Sequence, residues 1–157
     1  MHIHLIAVGS RMPGWVTEGY QEFAKRLPPE CRLNLIEIMP GKRSKSADIA
    51  RAMREEGERM LAAIPKNVAV IALDARGTQW STEQLSGELK NWLQGGRDIA
   101  LLIGGPDGLA EDCLKRAQTL WSLSKLTLPH PLVRIVLAEQ LYRAWSILQN
   151  HPYHRAG

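Results

Sequence analysis

Apolar segments of strand length alternate with segments of helical spacing along the chain. We predict strands over 3–8, 33–38, 68–73 and 99–103, and a fifth strand or extended loop over 123–128. We predict helices over 15–27, 45–64, 81–93, 110–121 and 131–149. Such alternation is typical of a parallel sheet that helices cover on both faces. Without an internal repeat or linker, the 157 residues predict one α/β domain over 1–157.

Composition narrows the class of protein. The chain is 45% hydrophobic and 23% charged, and no apolar stretch is long enough to span a bilayer, so we expect an ordinary globular protein with no membrane partner. The start lacks a cationic leader, and Cys31 and Cys113 form no CxxC pair, which favours a cytoplasmic location. A net charge of +4 permits a nucleic-acid partner without requiring one.

Two segments shaped by glycine and proline follow predicted strands in the last third. Residues 104–108 read Gly-Gly-Pro-Asp-Gly, and residues 123–128 lead into Pro129 and Pro131. Glycine lets the backbone approach a ligand closely, and α/β sheets bind ligands at the carboxyl ends of their strands. Two such loops suit a nucleoside, although plain structural turns remain the alternative. Neither GxGxxG nor a P-loop is present, since Ile36 stands where the first P-loop glycine belongs.

Several cationic residues leave two interpretations open. The run 41–45 carries three cations and predicts either a solvated loop or a phosphate contact. Arg134 lies on the most apolar face of the last helix, where it needs either an internal ion-pair partner or a substrate phosphate or carboxylate. His130, His151 and His154 lack a third ligand and are interrupted by prolines, so we predict no metal site.

The last helix is apolar over most of its circumference, which predicts burial on two sides. One side can be the sheet. The other can be the same domain or a second subunit, and we expect a dimer contact at Leu141 and Trp145. No catalytic triad or carboxylate pair is evident, so chemistry would depend on positioning and an activated cofactor.

The chain closely resembles the ribosomal large-subunit pseudouridine methyltransferase H family of the SPOUT superfamily. The resemblance is nearly full length. Its motifs are Leu5-Ile-Ala-Val-Gly9, Glu37-Ile38, Gly41-Lys42-Arg43, the strings over 101–108 and 126–134, Tyr142-Arg-Ala-Trp-Ser146 and Asn150-His-Pro-Tyr-His-Arg155. The chain departs from the family pattern only at its end, where Ala156 and Gly157 follow Arg155.

The resemblance implies an α/β knot with a C-terminal trefoil and S-adenosylmethionine as methyl donor, without a metal. The implied cofactor-binding residues are Leu73, Gly104, Gly105, Leu123, Ser124, Lys125, Leu126, Thr127 and Leu128. The substrate-binding candidates are His130, Arg134, Tyr153, His154 and Arg155.

The resemblance also implies a homodimer in which each tail completes the partner's site. The implied reaction is N3-methylation of a pseudouridine in large-subunit (23S) rRNA of the assembled ribosome. Tyr153 could stack on a base, His154 could hydrogen-bond, and Arg155 could bind phosphate. Two alternative functions remain open. The protein could be a ribosome-binding factor without enzymatic activity, or a nicotinamide-dependent oxidoreductase, which the absence of GxGxxG disfavours.

Overall fold

A computed structural model of the chain describes residues 1–44 and 48–155. The described strands form one parallel five-stranded sheet in the order β2-β1-β4-β3-β5, which confirms the predicted α/β class. The strands are β1 His2–Val8, β2 Arg32–Ile38, β3 Ala69–Gln79, β4 Ile99–Ile103 and β5 Thr119–Ser122. The α-helices are α1 Gly14–Ala24, α2 Ile49–Ala63, α3 Thr82–Gly95, α4 Glu111–Arg116 and α5 His130–Leu148.

Helices cover both faces of the sheet. Helices α1, α3 and α5 pack on one face, and α2 and α4 pack on the other, so each face has its own apolar cluster. All of β4 is buried, as expected for a central strand that is covered twice. Each fully buried aliphatic side chain contributes about 1.5–3 kcal/mol, so these clusters provide most of the stabilisation. In the described residues, no helix has the length and apolar character needed to cross a bilayer.

Helix α5 lies on the sheet between α1 and α3, which explains its apolar circumference. Leu141 is fully buried in this chain's own core, so its predicted place in a dimer contact is wrong. Trp145 is only partly buried and stacks on Tyr142 with ring centroids 6.0 Å apart. Packing within the same domain therefore explains why most of the helix surface is apolar.

The predicted helix over 110–121 is also wrong beyond Arg116. The chain leaves helix α4 there because Gln118 joins the sheet. The Gln118 amide donates to the Val70 carbonyl at 2.9 Å, and its side-chain oxygen accepts from the Val70 amide at 2.6 Å. Strand β5 then runs beside β3, and the segment 123–128 is a loop after that strand.

Helix boundaries elsewhere follow local capping. Ser81 and Gln84 form a capping box at the start of α3. Helix α2 begins at Ile49, where the Asp48 side chain accepts from the Arg51 amide at 2.9 Å. The predicted start of this helix at Lys45 lies outside the described residues.

Candidate functional site

A cavity of about 790 Å³ opens at the carboxyl ends of β3, β4 and β5. Its walls come from residues 73–76 of β3, just beyond the point where β3 stops pairing with β4, and from the glycine turn 104–108 and the segment 121–130. The cofactor candidates that line it are Leu73, Gly104, Gly105, Leu123, Ser124, Leu126, Thr127 and Leu128. The remaining candidate, Lys125, is exposed and does not line the cavity. The fold thus brings together residues from three separate parts of the sequence.

The glycine turn is shaped by its own backbone. A Cβ on Gly104 would lie 2.4 Å from the carbonyl carbon of Gly108, closer than real Cβ atoms come. Gly108 has φ +85°, and its amide donates to the Gly105 carbonyl at 3.1 Å. A Cβ on Gly105 would instead meet Val8 Cγ1 at 3.0 Å. The glycine at 105 therefore serves close packing on β1, and a side chain there would not point into the cavity.

The opposite wall is a loop held by short-range hydrogen bonds. Ser122 Oγ donates to the Ser124 carbonyl at 3.1 Å, and the Leu126 amide donates to Ser124 Oγ at 2.9 Å. Leu126 is 75% exposed and lines the cavity. This loop leaves an apolar side chain free to cover an occupant of the cavity.

Sequence reasoning missed several residues of the site. Trp121 lines the cavity at the end of β5, stacks on Trp80 at 4.9 Å between centroids, and carries a buried Nε1 without a hydrogen-bond partner. Asp74 and Arg76, which follow Leu73, also line it. The signal for Trp121 was concealed because the helix predicted through 121 placed it on the wrong element.

His130 and Arg134 occupy the first turns of α5. His130 lines the cavity, and its Nδ1 is buried without a partner. Burial and the neighbouring Arg134 cation lower the pKa of His130, with Glu56 opposing them weakly. The His130 ring is therefore neutral near pH 7 and offers one nitrogen as an acceptor.

Arg134 does not line the cavity. Its guanidinium is 2% exposed and donates to Glu37 Oε2 at 2.7 Å and to the Gly9 carbonyl at 3.0 Å. The internal ion pair, one of the two alternatives for this residue, is thus present. Arg134 ties α5 to the ends of β1 and β2 behind the cavity.

The tail is packed on its own chain. Tyr153 lies edge-on to Tyr142 at 4.7 Å between centroids, and its hydroxyl donates to Glu139 at 3.1 Å. His154 Nε2 lies 3.1 Å from Glu83, and Arg143 stacks over the Tyr153 ring at 4.7 Å. Tyr153 and His154 are thus partly buried against their own chain, whereas Arg155 is exposed.

One of the three cations of the basic run after β2 is engaged within the chain. Arg43 forms ion pairs with Glu56 and Asp107, whereas Lys42 is exposed. Lys45, the third cation of the run, lies outside the described residues. Across residues 1–44 and 48–155, no group of three or more potential metal ligands is close enough to hold an ion.

Comparisons with known proteins give a consistent result. The family model described as "Predicted SPOUT methyltransferase" matches residues 1–154. A Methylococcus capsulatus protein named "Ribosomal RNA large subunit methyltransferase H" is 58% identical over 155 residues, covering 99% of this chain and 100% of that protein. A Thioalkalivibrio sulfidiphilus protein of the same name is 61% identical over 155 residues, covering 99% of each.

A solved structure gives the same fold. The structure of a probable methylase family protein from Haemophilus influenzae Rd KW20 superposes with a TM-score of 0.58 at 12% identity, over 98% of this chain and 70% of that one. At that identity the likeness concerns the fold alone.

Proposed function

This chain belongs to the SPOUT methyltransferases, and on that premise we propose that it transfers a methyl group from S-adenosylmethionine to large-subunit ribosomal RNA. The observation that carries the proposal is the cavity at the carboxyl ends of β3, β4 and β5, with a glycine turn as one wall. Its relatives are named for methylation of this RNA. Within that class, we propose N3 of a pseudouridine in the 23S rRNA of the assembled ribosome as the acceptor.

The cavity residues fit the proposed cofactor. The cavity volume is within the usual range for small-molecule sites, and its wall includes the glycine turn, where the backbone can approach a nucleoside closely. Leu73, Gly104, Gly105 and the segment 123–128 would hold the adenosine part. The buried Trp121 Nε1 is a donor that still needs an acceptor. These residues orient the donor and exclude water around it.

S-adenosylmethionine supplies a methyl group on a positively charged sulfur, already activated for attack. The chain then needs to place the acceptor nitrogen in line with that group, which is catalysis by positioning. Burial raises the pKa of Cys31 and of Cys113 to about 11, so neither thiol is a nucleophile at neutral pH. We therefore propose direct transfer without a covalent enzyme intermediate: the sulfur–methyl bond breaks as the N3–methyl bond forms, S-adenosylhomocysteine leaves, and the N3 proton passes to water.

Substrate contacts are proposed for His130, Tyr153, His154 and Arg155. His130 borders the cavity, so its neutral ring can contact the target base. Arg134 would affect the substrate only by holding helix α5 in place, because its guanidinium is already bound to Glu37 and to the Gly9 carbonyl.

The position of the tail supports a homodimer. Tyr153 packs on Tyr142, and a helix rises about 1.5 Å per residue, so Tyr142 lies about 18 Å along α5 from His130. Up to Arg155, where the described residues end, the tail lines no part of the cavity of its own chain. A tail that serves catalysis must therefore reach a second subunit's cavity. We further propose the trefoil threading of the family and action in the cytoplasm, where ribosomes are found.

Calorimetry with S-adenosylmethionine, followed by methylation of ribosomes from cells that lack the protein, tests the function. We expect binding, and mass spectrometry should locate one added methyl on a 23S pseudouridine. Cofactor binding with no RNA methylation would contradict the proposed substrate. Ribosome binding without cofactor binding would instead support the inactive ribosome-binding factor.

A further inference from the structure

The guanidinium of Arg43 joins three segments that are distant in sequence. Its Nη1 and Nη2 donate to the two carboxylate oxygens of Glu56 on α2, at 2.6 and 3.3 Å. Its Nε donates to Asp107 Oδ2 at 3.0 Å. Asp107 lies within the glycine turn, so one side chain links the loop after β2 and helix α2 to a wall of the cavity.

Glu56 is the buried end of this network. Its side chain is 3% exposed and also accepts from the Gly41 amide at 2.9 Å. A buried carboxylate is tolerated only when it is paired and hydrogen-bonded, and Arg43 and Gly41 supply those partners. Glu56 Oε1 lies 3.8 Å from where a Cβ on Gly105 would stand. The ion pair therefore lies against the glycine turn.

Gly105 is held by its packing on Val8, but the exposed part of the turn has few other constraints. Its internal hydrogen bond runs from the Gly108 amide to the Gly105 carbonyl, and Pro106, Asp107 and Gly108 are exposed. Glycine-rich backbone has many conformations to lose on ordering. A ligand that binds the turn would bear that cost unless the protein orders the turn beforehand. The contact between Arg43 and Asp107 can do so.

We propose that Arg43 is a positioning residue that holds the glycine turn in its cofactor-binding conformation and does not contact RNA phosphate. The proposal rests on the proposed methyltransferase function. Arg43 also donates from Nη1 to the Gly41 carbonyl at 3.2 Å, so each of its three nitrogens is already engaged. These contacts use four of the five N–H donors of the guanidinium, so a phosphate could bind Arg43 through two donors only by displacing one of these partners. The exposed neighbour Lys42 has the same charge and is the better phosphate ligand of the loop.

The test compares Arg43→Ala, Arg43→Lys and Asp107→Asn, with Lys42→Ala as the charge-matched control. Calorimetry should show that Arg43→Ala weakens S-adenosylmethionine binding about tenfold or more, which corresponds to one hydrogen bond to a charged group. The KM for S-adenosylmethionine should rise in parallel, whereas kcat at saturating cofactor and the KM for ribosomes should not change. A general loss of folded protein would lower kcat and would not give this split.

The other variants refine the result. Arg43→Lys keeps the charge but lacks the planar fork, so its affinity should be intermediate. Asp107→Asn should weaken cofactor binding, and the double variant Arg43→Ala/Asp107→Asn should be no weaker than Arg43→Ala alone. Lys42→Ala should leave cofactor affinity unchanged. If Arg43→Ala does not fold, Asp107→Asn still tests the proposal, because its side chain lies on the exposed turn.

Parental cofactor affinity in folded Arg43→Ala and Asp107→Asn would overturn the proposal. A rise in the ribosome KM of Arg43→Ala, with cofactor affinity unchanged, would assign Arg43 to phosphate. Failure of the unaltered protein to bind S-adenosylmethionine would instead refute the proposed function itself, so the two failures are distinguishable.

Discussion

Replacing Gly104 with alanine is the most direct perturbation of the cavity wall. The new Cβ would lie 2.4 Å from the Gly108 carbonyl carbon and 2.7 Å from the Leu109 amide nitrogen. Ordinary contact begins at 3.4 Å, so the turn must move by about 1 Å. The obstructing atoms belong to the backbone, so a side-chain rotation cannot relieve the contact.

The cost can be divided into stability and affinity. Overpacking of this kind lowers the free energy of unfolding by about 1–3 kcal/mol. If the displaced turn also loses one or two backbone hydrogen bonds to the cofactor, each worth about 1 kcal/mol, affinity falls about 5- to 30-fold. Both effects exceed the usual errors of denaturant titration and calorimetry.

Gly87→Ala is the matched control. Gly87 lies inside α3 and is exposed, and a Cβ there would have nothing within 4 Å. Alanine in a helix interior stabilises it by about 0.5–1 kcal/mol relative to glycine. We therefore expect Gly87→Ala to raise stability slightly and to leave S-adenosylmethionine affinity unchanged. Parental stability and cofactor affinity in Gly104→Ala would refute the assignment of this turn to the site.

Three further outcomes are expected. Truncation after Asn150 should leave cofactor affinity intact but abolish ribosome methylation. Mixing that subunit with one whose cavity is broken and whose tail is intact should restore activity, and a truncated protein with full activity would exclude a role for the tail. Replacing both Cys31 and Cys113 with alanine should preserve turnover. In the native protein both thiols should resist iodoacetamide at pH 8, because burial raises the pKa of each to about 11. Rapid alkylation would contradict this expectation. The lowered pKa of His130 means that the folded state binds the imidazole proton less readily than the unfolded state, so stability should fall as pH drops below about 6.5. Denaturant titrations should show that the free energy of unfolding falls less between pH 7 and pH 5 in His130→Gln than in the parent. An equal fall in the two proteins would contradict the lowered pKa.

The fold class could be predicted because its signal is local. Buried parallel strands are continuous apolar runs, and Ile99–Ile103 is fully buried as such a run requires. The end of α4 could not be predicted in this way. Residues 117–121 continue a plausible helical pattern, and only pairing of Gln118 with Val70, 48 positions earlier, draws them into the sheet.

In the candidate site, too, local features could be predicted and long-range contacts could not. The turn at Gly104 was assigned to the site because it follows a predicted strand, and ligands bind at the carboxyl ends of parallel strands. The partner of Arg134 could not be predicted, since Glu37 is 97 positions away in sequence. The packing of Gly105 on Val8 could not be predicted for the same reason, because Val8 lies beneath it only after β1 and β4 have paired.

The place of β1 in the sheet has a consequence for synthesis of the chain. Ile3 pairs with Leu33 on one side and with Ile99 on the other, so the first strand made becomes a central strand. At about 5–20 residues per second, a nascent chain exposes one edge of this apolar strand for several seconds before β4 emerges. Contacts of such long sequence separation slow folding. Ile3–Val8 therefore keeps one edge unpaired until β4 can add to the sheet.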